Sequence, residues 1–309
     1  MLFPFVAATL LAAGARTLAA RRREREFARR LPVGPDGVIP GAGTIELGGD
    51  GRQAVFLLHG FGDTPQTLAE LARHLHLRGF TVRAPLLPGH GRTLRHFARS
   101  GADEWIDFAR ADFARFRARH PETMLAGLSM GGALAALVAA ETPGLPALAL
   151  VSPYVSMPRT IRRVAFMHPL VGLAAPYVAG GGERSIHDAE QKARNLGYGC
   201  CTPRLVAELA SVVAWAQRVL PAVEAPTLVV QSRGDNRIPP EAAERSFALL
   251  GATEKRLVWT ELGGHVLTVD HGREHVFQLV EAWLSGHAPA GDPAGAATAV
   301  AVGAKGRAS

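Results

Sequence analysis

The chain has 309 residues, of which 48% are hydrophobic and 20% are charged, a balance typical of a folded chain with a large buried core. Its 34 glycines and 21 prolines follow no short period, which argues against collagen-like and solenoid architectures. Residues 1–32 hold seven Arg and two Glu and so contribute +5 of the net charge of +7. Residues 33–286 hold 25 basic and 24 acidic residues. This nearly neutral central part argues against a nucleic-acid-binding domain, which would carry a basic surplus within the fold.

The two ends of the chain differ from the middle. Residues 1–20 are apolar except for Thr9, Arg16 and Thr17, and six arginines follow between positions 21 and 30. A secretory signal has its positive charge before the apolar run rather than after it. We therefore expect residues 1–32 to form a leader that associates with a membrane and keeps the rest of the chain on the cytoplasmic side; an amphipathic leader on a cytoplasmic protein is the alternative. Residues 287–309 are rich in Ala and Gly and are predicted to form a disordered tail.

Between the ends, short apolar runs alternate with helical patterns. Strands are predicted at Ala54–Leu58, Thr81–Leu87, Met124–Leu128, Ala147–Val151, Thr227–Gln231 and Arg256–Thr260. Helices are predicted at Thr64–Leu77, Ala102–His120, Ala133–Ala140 and Val276–Leu284. This alternation predicts an α/β fold, with a mostly parallel sheet covered by helices on both faces.

Residues 154–222 interrupt this alternation. The stretch is rich in Pro, Gly, Arg and aromatic residues and includes a helical pattern at Arg204–Val219. Its length predicts a helical cap inserted over the carboxyl edge of the sheet within a domain that spans residues 33–286. The adjacent Cys200 and Cys201 suit disulfide geometry poorly, and no zinc-binding spacing is present, so we expect no metal or other cofactor.

A serine lies between a predicted strand and a predicted helix, in Gly127-Leu128-Ser129-Met130-Gly131. This setting is what a nucleophile elbow requires, because glycines two residues on either side of the serine let the flanking backbones approach. The amino end of the following helix would favour negative charge at the site. The motif therefore predicts Ser129 as a nucleophile, and an ordinary glycine-flanked turn is the alternative.

A nucleophilic serine needs a base, and after an elbow of this kind the partners follow in the order serine, acid, histidine. The aspartates between Ser129 and His265 are Asp188, within the predicted cap, and Asp235, directly after a predicted strand. Asp235 is the better orienting acid, because a loop at the carboxyl edge is where that acid must lie. His265 also follows a strand. Of the later histidines, 271 comes six residues further on, 275 begins a predicted helix and suits a cap or surface position, and 287 lies at the tail. We predict Asp235 and His265 as the partners of Ser129.

An oxyanion hole needs two backbone N–H groups directed at the developing charge. One comes from the residue after the nucleophile, Met130, and the other from the loop after an earlier strand, where Phe61 lies between two glycines. In the same loop, His59 is predicted to brace the backbone. Asp63 is predicted to be the N-cap of the helix Thr64–Leu77.

Taken together, these motifs resemble those of the α/β-hydrolase superfamily, in particular the monoacylglycerol lipase and small carboxylesterase group. The resemblance covers residues 53–286 and depends on the segments His59–Gly62, Leu87–Gly91, Gly127–Gly132, Asp235 and Gly264–Asp270. It implies a triad of Ser129, Asp235 and His265, an oxyanion hole at Phe61 and Met130, and a lid formed by the insert.

The resemblance also implies a serine hydrolase of carboxylic esters, with monoacylglycerol-like or short and medium acyl esters as substrates. Apolar residues of the cap could cover an acyl chain or form a small core of the cap itself: Met157, Phe166, Met167, Leu170, Leu173 and Tyr177. An acyltransferase or C–C bond hydrolase with the same triad is the enzymatic alternative. A catalytically silent, membrane-tethered binding module is the alternative of another class.

Overall fold

The computed structural model describes residues 2–49, 53–180 and 185–288, with side chains from Ala13 onward. Within them, seven strands form one sheet: β1 (Ile45–Leu47), β2 (Ala54–Leu58), β3 (Thr81–Ala84), β4 (Thr123–Leu128), β5 (Leu148–Val151), β8 (Thr227–Ser232) and β9 (Lys255–Thr260). Their order is β1-β3-β2-β4-β5-β8-β9, and each neighbouring pair is parallel except β1 with β3. The predicted α/β fold with a mostly parallel sheet is confirmed. Strand β1 was not predicted, because three residues carry too little pattern.

Helices cover both faces of the sheet. One face packs against α2 (Ala69–His76) and α11 (Arg273–Gly286). The other packs against α4 (Ala102–Arg119), α5 (Met130–Ala140), α9 (Pro203–Val219) and α10 (Pro240–Leu249). All residues of β2, β4, β5 and β8 are buried, which explains why these strands are continuous apolar runs rather than alternating ones. Parallel strands place the loops after β2, β4, β8 and β9 at one carboxyl edge.

The predicted helix Thr64–Leu77 differs from expectation at its start. It begins as a single 3-10 turn, Pro65–Leu68, and continues as α2. The N-cap is Thr64, whose hydroxyl accepts from the Gln66 N–H at 3.3 Å. The prediction that Asp63 caps this helix is wrong, because the Thr64 hydroxyl takes that position.

The segment between β5 and β8 contains α6 (Arg159–Phe166), α7 (His168–Ala174), α8 (Ala189–Arg194), α9 and a two-stranded ribbon of β6 (Val178–Ala179) and β7 (Cys200–Cys201). It contacts three carboxyl-edge loops. The Tyr198 N–H donates to the Gly62 carbonyl at 2.9 Å, and the Val266 N–H donates to the Ser185 carbonyl at 3.0 Å. The Arg237 guanidinium donates to the Gly180 carbonyl.

Helix α9 belongs to the helical layer as well as to this segment. Among the described residues, the stretch Pro203–Ala222 is long and apolar enough to cross a membrane, with a mean hydropathy of 1.2. Leu205, Val212 and Ala216 are nevertheless fully buried in the core that α4 and α5 share. Packing within the fold therefore accounts for the apolar character of this helix.

The outer part of the insert is more exposed than the sequence suggested. Phe166, Leu170 and Leu173 have 87%, 62% and 72% of their surface exposed, and Met167 has 46%. Side chains this open to solvent do not form a small core within the cap, so that expectation is wrong for these four residues. These four side chains leave an apolar surface on α6 and α7 open to solvent.

The leader forms a helix, α1 (Leu2–Arg30), that docks on the rest of the protein at its carboxyl-terminal end. Phe27 is only 5% exposed and stacks on Tyr198. Glu24 pairs with Arg95 of α3 (Leu94–Arg99) at 2.8 Å and accepts a hydrogen bond from Tyr177 at 3.1 Å. The last two turns of α1 are therefore part of the folded domain. The predicted tail lies almost wholly outside the described residues.

Candidate active site

Ser129 occupies a sharp turn between β4 and α5. Its backbone has φ of 56° and ψ of −119°, a strained conformation for a residue with a side chain. A Cβ at Gly127 would overlap the Gly131 carbonyl, and a Cβ at Gly131 would overlap the Leu58 carbonyl of β2. The glycines of the motif are thus required by the close approach of three backbone segments. Ser129 remains partly exposed at the carboxyl edge.

The structure brings the three predicted residues together. The distance from Ser129 Oγ to His265 Nε2 is 2.7 Å, and that from His265 Nδ1 to Asp235 Oδ2 is 2.8 Å. In the neutral form that fits these contacts, Nδ1–H donates to the carboxylate and Nε2 accepts from the serine hydroxyl. His265 follows β9 and Asp235 follows β8, so both lie on carboxyl-edge loops, as predicted.

Asp235 is held as an anion in a buried position. Its Oδ1 accepts from the N–H groups of Arg237 and Ile238 at 2.7 and 3.0 Å, and Oδ2 also accepts from the Gln231 amide at 2.7 Å. Burial alone would raise the pKa of this carboxyl, but the contact with His265 and the backbone N–H groups more than offset it, so the pKa is lowered. The arrangement favours a charged carboxylate next to the histidine.

The rival candidates lie elsewhere. Asp188 is the N-cap of α8, where its Oδ1 accepts from the Glu190 and Gln191 N–H groups, and its Oδ2 contacts Arg273 at 3.3 Å. His275 lies exposed within α11, and His287 pairs with Glu254. None of these side chains reaches Ser129.

The two predicted oxyanion donors are the backbone N–H groups of Phe61 and Met130. Among the described residues, neither the Phe61 N–H nor the Met130 N–H donates to a protein acceptor. A Cβ on Gly60 would lie 3.3 Å from Ser129 Cβ, so the loop after β2 passes directly beside the nucleophile. Two free N–H groups next to a nucleophilic oxygen are what stabilisation of a tetrahedral oxyanion requires.

Two buried histidines hold this loop. His59 Nε2 accepts from the Leu87 N–H at 3.1 Å while its Nδ1 donates to the Gly60 carbonyl at 2.9 Å. His90 Nε2 accepts from the Gly62 N–H at 3.2 Å. Burial lowers the pKa of His59 to about 4 and that of His90 well below its ordinary 6.5, so both rings stay neutral and keep these acceptors. This geometry supports the predicted bracing role of His59.

The sequence reasoning assigned no role to Asp270. Its carboxylate, fully buried, accepts four backbone N–H groups at 2.7–2.8 Å, from Gly264, His187, Asp188 and His271. Burial alone would raise its pKa, but these four bonds lower it. Asp270 thereby ties the loop that carries His265 to the insert. The motif Gly264–Asp270 was the available signal, but no spacing rule says which atoms the aspartate meets.

Two further groups at the site were also missed. Tyr154 follows β5, its N–H donates to the Ser129 carbonyl at 3.0 Å, and its ring lies 6.2 Å from the His265 ring. Both Ser129 Cβ and Asp63 Oδ2 lie within 3.4 Å of the point that a Cβ on Gly60 would occupy. Burial raises the pKa of Asp63 to about 6. The site therefore has an aromatic ring beside His265 and, next to Gly60, a carboxyl group with a raised pKa.

Comparison with known proteins identifies the group. A family model described as Serine aminopeptidase, S33, matches residues 49–272, most of the chain. The chain belongs to this family. It is 26% identical over 246 residues to a thermostable monoacylglycerol lipase of Bacillus sp. (strain H-257), covering 77% of this chain and 93% of the relative. It is 28% identical over 237 residues to a carboxylesterase of Bacillus subtilis (strain 168), covering 76% and 93%.

Solved structures agree with this assignment. A structure of metagenome-derived lipolytic enzymes, LipS and LipT, superposes with a TM-score of 0.74 at 30% identity, covering 81% of this chain and 100% of the other. A monoacylglycerol lipase from Paleococcus ferrophilus gives a TM-score of 0.68 at 21% identity, covering 79% and 98%, and at that identity it supports the fold alone. The predicted membership of the α/β-hydrolase serine hydrolases, in the monoacylglycerol lipase and carboxylesterase group, is confirmed.

Proposed function

We propose that this protein hydrolyses carboxylic esters through an acyl-enzyme on Ser129. The observation that carries the proposal is the continuous contact from Ser129 through His265 to Asp235, at 2.7 and 2.8 Å, beside two unengaged backbone N–H groups. Nucleophile, base, orienting acid and oxyanion donors are all present at one carboxyl edge.

Acylation follows from this geometry. His265 Nε2 accepts the Ser129 proton as Oγ attacks the ester carbon, and the carbonyl π pair moves to oxygen to form a tetrahedral oxyanion. The Phe61 and Met130 N–H groups donate to that oxyanion, and the Asp235 carboxylate stabilises the imidazolium. Collapse breaks the bond to the alkoxy group, which leaves as the alcohol with the proton from Nε2.

Deacylation repeats the cycle with water. His265 Nε2 accepts a proton from the water as its oxygen attacks the acyl carbon, and the same two N–H groups hold the second oxyanion. Collapse returns the proton to Ser129 Oγ and releases the carboxylic acid. The strained backbone of Ser129 keeps Oγ at the edge of the sheet in both half-reactions.

We further propose monoacylglycerol-like or short and medium acyl esters as substrates. Two of the similar proteins are named for monoacylglycerol or carboxyl esters. The Tyr154 ring, 6.2 Å from the ring of His265, supplies apolar surface, and the Asp63 carboxyl, beside Gly60, supplies a polar group suited to an alcohol with free hydroxyls. Each buried CH₂ contributes about 0.8 kcal/mol, so kcat/KM should rise roughly fourfold per methylene until the pocket is full.

A panel of p-nitrophenyl esters from acetyl to palmitoyl, with 1-monoacylglycerols, triacylglycerols and aminoacyl p-nitroanilides alongside, tests both statements. We expect activity to rise from acetyl to medium chains and then level or fall, with triacylglycerols and anilides poor. Ser129→Ala should abolish turnover while folding normally, and Ser156→Ala, at a partly exposed serine outside the triad, is the matched control. Turnover by Ser129→Ala would refute the mechanism, and a flat chain-length profile would refute the substrate class alone.

The alternatives gain no support from the described site. A silent binding module has no need of a serine, histidine and aspartate in hydrogen-bonding register, and nothing around Ser129 favours acyl transfer or C–C cleavage over attack by water. In the same panel, ester formation with added glycerol in preference to hydrolysis would indicate a transferase. Failure of Ser129 to react with a fluorophosphonate would indicate a silent module.

We also propose that the protein associates with the cytoplasmic face of a membrane through α1. Support comes from the apolar composition of residues 1–20, the arginines that follow it, and the exposed Phe166, Leu170 and Leu173 of the insert. Arg16 donates to the carbonyl of Gly172 in α7, so α1 lies beside that apolar face. Fractionation of cells expressing the full chain should place it with membranes, and recovery wholly in the soluble fraction would refute the proposal.

A further inference from the structure

Helix α1 is joined to the oxyanion loop by a run of stacked aromatic rings. Phe27 of α1 stacks on Tyr198 with ring centroids 4.9 Å apart, and Tyr198 stacks on Phe97 at 4.3 Å and an interplanar angle of 1°. Phe97 in turn lies 5.2 Å from the ring of Phe61. Phe27, Tyr198 and Phe97 are almost fully buried, so the run is a packed element rather than a chance surface contact.

Tyr198 is also the hydrogen-bonding centre of this region. Its hydroxyl lies 3.0 Å from the carbonyls of Gly89 and Arg92 and accepts from the Arg92 N–H at 3.0 Å. Its backbone N–H donates to the Gly62 carbonyl at 2.9 Å. The side chain and the backbone of one residue thus hold two different loops of the carboxyl edge.

Both polar backbone groups of Gly62 are therefore held by hydrogen bonds. His90 Nε2 accepts its N–H, and Tyr198 donates to its carbonyl. Gly62 has φ of +70°, a left-handed conformation, and it directly follows Phe61. The direction of the Phe61 N–H depends on the conformation of this short turn, since no acceptor in the described protein holds that N–H itself.

Phe27 and Arg30 hold Tyr198 in turn. The Arg30 guanidinium donates to the Gly197 carbonyl at 2.6 Å and to the Tyr198 carbonyl at 3.3 Å, while the Phe27 ring covers one face of the tyrosine. Tyr198 lies just before β7, in an insert whose two strands have only two residues each. A ribbon this short supplies little rigidity of its own, so contacts with α1 carry more of the restraint.

We propose that Tyr198 is a positioning residue for the oxyanion hole and that Phe27 of α1 is its brace, which makes the leader helix a working part of the active site. The inference rests on the proposed ester hydrolysis. It assigns α1 a role in transition-state stabilisation that is separate from any contact with a membrane. Neither residue touches the substrate; both act through the Gly62 turn on the Phe61 N–H.

The test compares Phe27→Ala, Phe27→Leu and Tyr198→Phe with Phe116→Ala as the matched control. Phe116 is as buried as Phe27 but lies further along α4. It is eleven residues beyond Trp105, whose ring contacts Phe61, which is about 16 Å along the helix axis. Titration of each variant with a fluorophosphonate, in which Ser129 Oγ displaces fluoride from phosphorus, counts the folded active sites. All rates are then given per titrated site.

Removal of an oxyanion donor lowers kcat by about 10²–10³-fold. A substitution that only displaces the donor, by way of another residue, should lower kcat about tenfold. We expect Phe27→Ala to lower kcat about tenfold with KM within about twofold, and Phe27→Leu to recover most of the loss because it restores apolar volume. Tyr198→Phe keeps the stack and loses the hydroxyl bonds, so we expect a smaller loss, about threefold. Phe116→Ala should lower Tm with kcat per site unchanged.

A second readout isolates the oxyanion hole. A trifluoromethyl ketone forms a hemiketal in which Ser129 Oγ bonds to the ketone carbon, the serine proton passes to His265, and the carbonyl π pair becomes an alkoxide facing Phe61 and Met130. Its inhibition constant should rise across the variants in proportion to the loss of kcat. Normal kcat per site and normal inhibition in Phe27→Ala would overturn the inference. If Ser129→Ala were active, the proposed function itself would fail, whatever Phe27 showed.

Discussion

Replacement of Asp270 by asparagine tests how the loop of His265 is held. The carboxylate accepts hydrogen bonds from four backbone N–H groups, those of Gly264, His187, Asp188 and His271. In none of these contacts does the side chain act as a donor. Asparagine keeps one acceptor oxygen and replaces the other with an NH₂ group. That NH₂ faces two of the four N–H groups, whichever way the amide is turned.

The expected loss of stability follows from these two donors. A buried donor left without an acceptor costs about 1–3 kcal/mol, so Asp270→Asn should lower the free energy of unfolding by about 2–6 kcal/mol. That is a large share of the roughly 5–15 kcal/mol typical of a folded protein. At about 2–4 °C per kcal/mol, Tm should fall by roughly 4–24 °C. Because the Gly264 N–H directly precedes His265, kcat should also fall, on the order of tenfold.

The loss should depend on pH in a defined direction. The folded pKa of Asp270 lies below its ordinary 3.8, so the stabilising contribution is complete above that value and is lost as pH falls through the folded pKa. The difference in unfolding free energy between wild type and Asp270→Asn should therefore be largest at neutral pH and shrink in acid below about pH 4.

Urea unfolding at pH 7 and at pH 3.5, with kcat per titrated site, measures all three quantities. Asp112→Asn is the control, because Asp112 is also a buried carboxylate but pairs with Arg83 and Arg115, away from the triad. It should lower stability and leave kcat unchanged. A loss of less than about 1 kcal/mol in Asp270→Asn, or a kcat equal to that of wild type, would refute this account of the loop.

Three other substitutions test separate parts of the site. Asp235→Asn should lower kcat on the order of 10⁴-fold because the amide cannot hold His265 in the required tautomer, whereas Asp188→Asn still caps α8 and should stay within about twofold in an ester assay. Gly131→Ala should destabilise the elbow by several kcal/mol, measured by urea unfolding, because its Cβ meets the Leu58 carbonyl; a wild-type midpoint would contradict the close approach. Asp63→Asn should stabilise the protein by about 1–2 kcal/mol at pH 8, since the folded pKa near 6 makes the charged form unfavourable, and the gain should vanish near pH 4. A constant or reversed difference across that range in thermal unfolding would show that Asp63 is not a buried, destabilised anion.

Local pattern was sufficient for the six parallel strands and for the triad. Runs such as Ala54–Leu58 are apolar because both of their faces are buried, so consecutive apolar residues in the sequence indicate such a strand. The elbow at Ser129 needs glycines at fixed spacing, and Asp235 and His265 follow strands whose carboxyl ends share one edge. Motif, order and strand ends together therefore predict which residues meet, without knowledge of any distance.

The remaining features depend on contacts between segments far apart in the chain. Asp63 resembles a helix cap in sequence, but the hydroxyl of Thr64 takes the cap position. Phe166, Leu170 and Leu173 resemble a core in sequence and are exposed, because burial depends on what lies opposite. Tyr198 and Phe27, which are 171 positions apart, show no pattern that links them. Periodicity and motifs encode what a segment needs from its own neighbours in the chain, whereas the partner that meets a side chain across the fold is determined only when the segments pack together.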